Sequence, residues 1–362
     1  MAAYGTKLNE KFAAMALKYF YQSSVADSLV NRDYEGEIKG VATKVNILTL
    51  SKLTWGNYTG ADISPQDLNE VAGALTIGQQ KDYYFKVKNI DKLKSFVKNP
   101  EGTVIDQLGM ELKKIVDTYV LGFYGDVAAG NRYGTDYTTG TVTVDVTTGA
   151  VTGSGTTFTS AMVGRGFKAT GHTSWYRVKS YSSSTAIVIE DDSDDVASAY
   201  TGGAIGAGAA YTIEAATKKQ VSKTTIYADI LALRQKLDSA EIPMENRWLV
   251  VPSMIGNIIR QAPELIPAVP TAYEDVVKKG ILGTIGGFKV YESERVSGDN
   301  TNGFRVLAGH PAWMTMAEAM VDNEVEPWIS GNFGVGFKGL YVYDVKVLDE
   351  RRKCAAEGFW YV

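Results

Sequence analysis

Histidine can act as a general base or a metal ligand near neutral pH, and this chain has only His172 and His310. Neither has a neighbouring cysteine or glutamate at the spacing of a zinc site. His172 lies among Gly, Thr and Ser residues, which favours a solvated loop histidine over a ligand. His310 precedes Pro311, as residues at the entry of a helix often do. The histidines therefore predict no metal site.

Two glycine-rich segments could in principle hold phosphate groups. Residues 334–339 match the G-x-G-x-x-G pattern, but a dinucleotide fingerprint must open a helix, and an alternating strand follows here. We therefore interpret these glycines as the turn from a loop into an edge strand. Residues 280–287 lack the Lys-Ser/Thr pair of a phosphate loop, so they predict a tight loop before a strand at 288–291.

Carboxylates and the single thiol offer the remaining chemistry. Residues 190–195 hold five carboxylates, but without the ligand order of a calcium loop, which favours a solvated acidic loop. Cys354 has no nearby histidine, and no Gly-x-Ser-x-Gly elbow occurs. One cysteine permits no internal disulfide and fits a reducing compartment. The sequence predicts no catalytic, cofactor-binding or metal-binding residues, and hence a protein that is not an enzyme.

A basic run is the one candidate for contact with nucleic acid. It comprises Lys81, Lys86, Lys88, Lys92, Lys94 and Lys98, interleaved with Tyr83, Tyr84 and Phe85. Lysines with this spacing could face phosphates. Asp82 and Asp91 dilute the charge. We favour a solvated hairpin stem, or contact with acidic groups of a neighbouring subunit.

Charge divides the chain into regions. The length of 362 residues predicts about two domains, and a net charge of −4 argues against a polyphosphate-binding protein. Residues 134–215 hold four basic and eight acidic residues and none of the nine prolines, which indicates a separately built module. Charges interrupt the first 20 residues, and 196–213 is too weakly hydrophobic to span a bilayer. We therefore expect a soluble protein made in the cytosol, with no membrane partner.

Periodicity places the structural elements. The strongest helix is predicted at 101–125, where apolar residues recur every three or four positions, and Gly122 and Gly125 are both candidates for its end. On this helix Asp106, Lys113, Lys114 and Asp117 fall mainly on the opposite, polar face. Residues 1–32 have helical patterning, and 34–88 predict a long extended hairpin that returns as a strand at 75–88.

Strands and a second helix are predicted farther along the chain. Residues 134–215 predict short strands of a small β-barrel or sandwich. Ser222 is predicted to cap a helix whose apolar stripe is Ile226, Ile230, Leu233 and Leu237. In the terminal strand, one face is predicted to carry Tyr341, Tyr343, Val345 and Val347.

The order of elements in 247–293 is the most informative pattern. A buried strand at 248–251 meets Pro252 and Ser253, which open a short helix; two proline turns, a helix ending at Gly280 and a strand at 288–291 follow. This order resembles the shell domain of tailed-phage major capsid proteins, the Hong Kong 97-type fold. The resemblance implies an α+β chain with an N-terminal arm, an extended hairpin loop, a spine helix, and peripheral and axial domains.

The resemblance assigns most of the chain. It implies the arm at 1–32, the extended loop at 33–88, the spine helix with peripheral domain at 89–133, the axial domain at 217–338 and returning peripheral strands at 339–362. An inserted all-β domain at 134–216 departs from the usual position, which lies within the axial domain. Some members crosslink through a lysine in the extended loop, but no motif carries that chemistry to this sequence.

The implied function is a major capsid protein that self-assembles into pentamers and hexamers of an icosahedral head around double-stranded DNA. Implied partners are further copies of the chain, scaffold, portal and decoration proteins, and packaged DNA bound non-specifically. The implied location is the virion capsid, assembled in the host cytoplasm. Two alternatives are a phage tail or baseplate protein, suggested by the β-module, and an α/β nucleotide-binding enzyme.

Overall fold

A computed structural model of the chain describes residues 25–32, 44–50, 70–88, 100–192, 199–263, 283–326 and 334–362. Residues 1–24 of the segment 1–32 with predicted helical patterning, the loop of the hairpin and the helix ending at Gly280 lie outside the described residues. The chain divides into two compact units. Unit 1 comprises 1–19, 32–109 and 315–346, and unit 2 comprises 20–31, 110–314 and 347–362.

Helices and strands are mixed in the α+β manner. The helices are α1 (Ala26–Leu29), α2 (Pro100–Leu121), α3 (Ile226–Ser239) and α4 (Ser253–Gln261). The strands are β1 (Lys44–Leu50), β2 (Glu70–Thr76), β3 (Gln79–Lys88), β4 (Arg132–Tyr133), β5 (Thr135–Tyr137), β6 (Thr141–Val144), β7 (Ala150–Ser154), β8 (Gly166–Ala169), β9 (Tyr176–Ser183), β10 (Ala186–Asp191), β11 (Ile205–Ala209), β12 (Tyr211–Thr217), β13 (Lys219–Gln220), β14 (Trp248–Val251), β15 (Thr284–Ile285), β16 (Phe288–Glu292), β17 (Gly298–Asp299), β18 (Gly303–Gly309), β19 (Met314–Glu326), β20 (Gly334–Val347) and β21 (Ala355–Tyr361).

Unit 1 contains the hairpin that the sequence predicts. β1 and β2 pair antiparallel, from Lys44 opposite Thr76 to Leu50 opposite Glu70. The single return strand predicted at 75–88 is wrong, because the chain forms two strands with different partners. β2 pairs with β1, whereas β3 pairs with β20. Between them, the Gly78 amide donates a hydrogen bond of 2.7 Å to the Asp344 carboxylate.

The three-stranded sheet of unit 1 has the order β19-β20-β3. β20 is therefore its central strand, and the predicted loop-to-edge-strand turn at 334–339 is wrong: these glycines lie inside a strand. Gly339 lies opposite Tyr83 on β3, whose ring stands 2.6 Å from where a β-carbon of residue 339 would be. A glycine is needed there because the aromatic ring occupies the space of a side chain.

Helix α2 confirms the strongest helical prediction. It ends at Leu121, before the predicted end at 125, and a 3₁₀ turn at Gly122–Asp126 follows, which contains both candidate glycines. In the part belonging to unit 2, Val116 and Val120 are buried. Asp117, predicted on the polar face, is only 2% exposed because its carboxylate accepts a 3.1 Å hydrogen bond from the Ala26 amide. That bond joins α1 to α2 within unit 2.

Unit 2 contains two large sheets, and one of them has the order β13-β21-β18-β14-β16-β15. β14 and β16 run parallel with α4 between them in the chain, so the predicted strand, helix and strand of 247–293 are confirmed. Gly286 and Gly287, both with positive φ, make the turn from β15 to β16. The apolar stripe of α3 is buried as predicted. The helix begins at Ile226, however, so Ser222 is not its cap.

The β-module, residues 134–216, forms an eight-stranded antiparallel sheet with the order β11-β6-β7-β10-β9-β8-β12-β5. Alternation predicted its strands: in β6, Val142 and Val144 are buried while Thr143 is exposed. The module has a hydrophobic core of its own that includes Phe158, Phe167 and Ile189. The segment is therefore all-β, as the alternation predicts, and it lies within unit 2.

Candidate functional site

Neither histidine is placed as a ligand or a base. His172 is buried, so the solvated loop predicted for it is wrong. Its Nδ1 accepts a 3.2 Å hydrogen bond from the Ala169 amide, so Nε2 carries the proton and donates to the Tyr200 hydroxyl at 2.8 Å. Burial, and then Lys168, lower the pKa of His172, which keeps the ring neutral. His310 accepts from the Ala312 amide at 3.1 Å and caps a 3₁₀ turn, as its position before proline predicts.

The acidic run is engaged with protein groups rather than solvated. Glu190 is buried and pairs with Arg177 at 2.9 Å and Lys179 at 3.1 Å. Asp191 accepts hydrogen bonds from the amide and hydroxyl of Thr201, at 2.9 and 2.6 Å. The prediction of a solvated loop is therefore wrong for 190–192, while 193–198 lie outside the described residues. No cluster of three or more possible metal ligands occurs in the described part of the chain.

Cys354 is a buried free thiol at the end of a 3₁₀ turn, Asp349–Cys354, just before β21. Burial raises the pKa of its thiol. A protonated, inaccessible thiol is a poor nucleophile, since the thiolate is the reactive form.

Tyr83 and Tyr84 of the basic run line a groove of about 340 Å³ in unit 1, together with Asp82, Lys338, Gly339 and Leu340. The side chain of Tyr84 is 55% exposed. Tyr83 is more buried, and this burial raises its pKa to about 12. Lys81 and Lys86 on β3 are exposed, and Lys92, Lys94 and Lys98 lie outside the described residues. The described part of β3 therefore does not bring five or six lysines together as a site for phosphate groups.

The most concentrated chemistry is a buried charge centre that the sequence analysis missed. It consists of Arg132, Arg165, Asp192, Glu214, Lys236, Arg305, Arg352 and Glu357. All eight residues belong to unit 2, and they come from the β-module, from α3, from the sheet of β21 and from the 3₁₀ turn that precedes β21. Charges buried at this density must be paired, because removing an unpaired ion from water costs several kcal/mol.

Glu357 on β21 is the hub of this centre, with an exposed fraction of 0%. Its carboxylate lies 2.7 Å from Arg165 of the β-module and 3.1 Å from Arg305 of β18. The Nε of Arg132 lies 3.6 Å away, an ionic contact rather than a hydrogen bond. Arg132 uses its other nitrogens to donate to backbone carbonyls, among them Gly164 of the module.

Glu214 on β12 is the second acidic residue of the centre, and burial raises the pKa of its carboxyl group. It accepts a hydrogen bond from Lys236 at 2.7 Å and from the amides of Gly130 and Arg132 at 2.6 and 3.2 Å. Asp192 forms a third link, 2.9 Å from Arg352, and accepts from the Ala129 amide at 2.6 Å. These groups form ion pairs with one another and with backbone, so the arrangement is suited to holding elements together rather than to proton transfer or ligand exchange.

The only available sequence signal for the centre was weak. Glu357 interrupts an otherwise apolar terminal strand, and a charge in such a strand indicates a buried partner. Its partners lie 52 and 192 residues away along the chain, so local spacing could not identify them.

No helix among the described residues meets the length and hydropathy needed to cross a membrane.

Comparison by sequence identifies no relative: no protein-family model and no curated protein matches. The structure does have similar folds. One is from Mycobacterium phage Che8, with a TM-score of 0.54 and 17% identity over 93% of this chain and 91% of that chain. Another is the mature capsid of bacteriophage PhiM1, with a TM-score of 0.50 and 11% identity over 93% of this chain and 87% of that chain. This chain therefore has the fold of the tailed-phage major capsid proteins.

Proposed function

We propose that the protein is the major capsid protein of a tailed phage, which self-assembles into pentamers and hexamers of an icosahedral head enclosing double-stranded DNA. The observation that carries the proposal is the similarity in fold to the PhiM1 capsid structure, which extends over 93% of this chain. Fold alone does not determine function. Here the absence of a metal-ligand cluster among the described residues, together with the structural use of the buried charges, also favours a structural protein.

The described elements support a division of the chain into the parts of the Hong Kong 97-type fold. We assign 1–32 to the arm, 33–88 to the extended loop, 89–133 to the spine helix and peripheral domain, 134–216 to the inserted domain, 217–338 to the axial domain and 339–362 to the returning peripheral strands. The hairpin β1–β2 supports the extended loop, and α2 supports the spine helix. Arg32 ends the proposed arm and pairs with buried Glu318 of β19 at 2.5 Å.

The hairpin gives a physical reason for assembly. A two-stranded hairpin is at best marginally stable in water when nothing covers it. Within the described residues β1 and β2 pair only with each other. Burial on a neighbouring copy would stabilise both strands, and head-to-tail contacts of this kind close into rings when the rotation is right. Obligate interfaces of such assemblies bury roughly 2,000–5,000 Å².

The remaining parts of the proposal concern partners and location. We expect scaffold, portal and decoration proteins to act with this chain, DNA to be bound non-specifically, and assembly to take place in the host cytoplasm before the protein becomes part of the virion. The exposed lysines of β3 are compatible with contact to phosphates or to acidic groups of a neighbouring copy.

Negative-stain electron microscopy tests the proposal directly. The full chain is purified alone and after co-expression with the other head genes of its phage. Closed shells or rings of five and six copies support a capsid role. Tubes or fibres would instead indicate a tail or baseplate protein, and a monomer that stays dispersed at high concentration in both preparations would refute the proposal.

A further inference from the structure

Ion pairs join the β-module to the remainder of unit 2, and the module contributes both basic and acidic residues to them. The module supplies Arg165 to Glu357 at 2.7 Å, and it supplies Glu214 to Lys236 at 2.7 Å. It also supplies Asp192 to Arg352 at 2.9 Å. Arg165, Glu214 and Glu357 are buried, as is the guanidinium of Arg352. Each side of the junction therefore carries buried ions whose compensating charge lies on the other side.

The two module carboxylates also hold the chain that leads into the module. Asp192 accepts from the Ala129 amide at 2.6 Å, and Glu214 accepts from the Gly130 amide at 2.6 Å. Arg132, in the same entry segment, donates to the Gly164 carbonyl of the module. A short connection between domains normally permits relative motion. Here the entry segment is also bound by the rest of unit 2, since Lys236 donates to the Gly130 carbonyl at 2.8 Å and the Glu357 amide donates to the Asn131 carbonyl at 3.0 Å; contacts on both sides restrict that motion.

A backbone irregularity places Glu214 at the junction. Between the pairs Ile213–Tyr137 and Thr217–Thr135, β12 contains more residues than its partner β5, so the strand bulges. Ala215 in this bulge has a φ of 45°, in the left-handed region that residues with a side chain rarely adopt. The Ala215 amide donates to Asp136 at 2.9 Å and holds the bulge in place. Strain of this kind persists only where surrounding contacts maintain it.

We propose that these reciprocal ion pairs, which we name the interlock, make the β-module and the sheet of β21 one cooperative folding unit and fix the module in a single orientation. The module would then be an integral part of unit 2, although it has its own core and forms a continuous segment of sequence. The physical reason is that separation would leave Glu357 beside Arg132 and Arg305 without Arg165, and Lys236 without Glu214. Partly compensated buried networks are less stable than either complete or apolar ones. The interlock does not depend on the proposed capsid role.

The first test is native-state hydrogen exchange on the unmodified full chain. The amides of Ile187 in the module core and Val250 in the other sheet report the two sides. One cooperative unit predicts equal opening equilibria, within about threefold, and the same dependence on urea for both amides. Opening of Ile187 that is more than about tenfold more frequent, with a smaller urea dependence, would overturn the proposal.

The second test measures orientation with two spin labels. Cysteines replace exposed Ser182 of the module and exposed Lys223 near α3, in a chain where buried Cys354 is changed to alanine. The interlock predicts one narrow distance distribution in the otherwise unmodified chain. It predicts a broader distance distribution in the double variant Arg165→Met, Glu214→Gln. This variant removes two of the three charged residues that the module contributes to the interlock.

The matched control is the double variant Arg177→Met, Glu190→Gln. It removes the same two residue types from a 2.9 Å pair that lies wholly within the module. We expect its distance distribution to stay as narrow as that of the parent chain. Equal broadening in both double variants, or none in the interlock variant, would refute the proposal. If the interlock variant fails to fold, loss of structure in both sheets supports it, whereas a folded β21 sheet beside an unfolded module contradicts it.

Discussion

Replacement of Glu357 by glutamine tests the central energetic claim about the charge centre. The substitution keeps the size of the side chain and removes one negative charge from a position with an exposed fraction of 0%. Three guanidinium groups then lose their common partner: Arg165 at 2.7 Å, Arg305 at 3.1 Å and Arg132 at 3.6 Å. Arg132 and Arg165 are themselves buried, so water cannot replace the carboxylate without a local opening.

The expected cost follows from the burial of these groups. Removal of one partner from a buried ion pair destabilises a protein by about 3–5 kcal/mol, since it leaves an uncompensated charge. Arg305 is mostly but not fully buried, and it also packs over the rings of Phe359 and Tyr124. It therefore keeps part of its stabilisation. We expect a loss of about 3–4 kcal/mol, a large share of the 5–15 kcal/mol typical of folded proteins.

Urea unfolding at neutral pH, followed by tryptophan fluorescence, measures this loss, because Trp360 lies on the same strand and is buried. The control is Glu111→Gln, the same substitution in an exposed pair with Lys114 at 2.9 Å. Exposed pairs contribute about 0–1 kcal/mol, so the control should unfold near the midpoint of the parent chain. A cost for Glu357→Gln below about 1 kcal/mol, or one equal to that of the control, would show that the carboxylate does not organise the centre.

Three further predictions concern the β-module. Phe167→Ala should cost about 3–5 kcal/mol in urea unfolding, since its ring is fully buried, whereas the exposed Val163→Ala should change little; similar costs would contradict the core assignment. Gly149 and Gly164 both have positive φ, but only at Gly149 would a β-carbon meet a carbonyl oxygen at 2.3 Å, so Gly149→Ala should destabilise by at least about 1 kcal/mol more than Gly164→Ala; equal losses would refute the clash. Burial raises the pKa of Tyr200 from 10.0 to about 12, so the folded state holds its proton longer and the free energy of unfolding should fall as pH rises through that interval; the slope should be smaller in Tyr200→Phe, and an unchanged slope would count against the shift.

Periodicity predicted the elements whose stability is local or whose burial has a regular pattern. Burial of one face repeats every 3.6 residues in a helix and every 2 residues in a strand. This repeat made it possible to predict the stripe of α3, the buried strand β14 and the alternation in β6. The end of α2 was predicted less closely, because the chain passes at Leu121 into a 3₁₀ turn that contains both Gly122 and Gly125. The predicted cap, Ser222, precedes the actual N-cap position, Thr225, because the turn at 222–225 has the same hydroxyl-rich composition as a cap.

Side-chain environments were predicted less well than elements. Polar residues usually prefer solvent, yet Asp117 and His172 are both buried. Each forms a hydrogen bond with a residue distant in sequence, Asp117 with Ala26 and His172 with Tyr200. The glycines of 334–339 suit a turn by composition. They lie in a central strand, and at residue 339 the ring of Tyr83, brought alongside by sheet pairing, occupies the space that a side chain would need.

Sequence alone therefore determined the longest helices, several strands and the all-β character of residues 134–216, because local propensity and hydrophobic period are properties of neighbouring residues. The pairing of strands and the buried charge centre were decided only by tertiary structure. Glu357 meets Arg165 across 192 residues of chain, and the free energy that pairs them depends on exclusion of water, which no stretch of sequence can provide by itself.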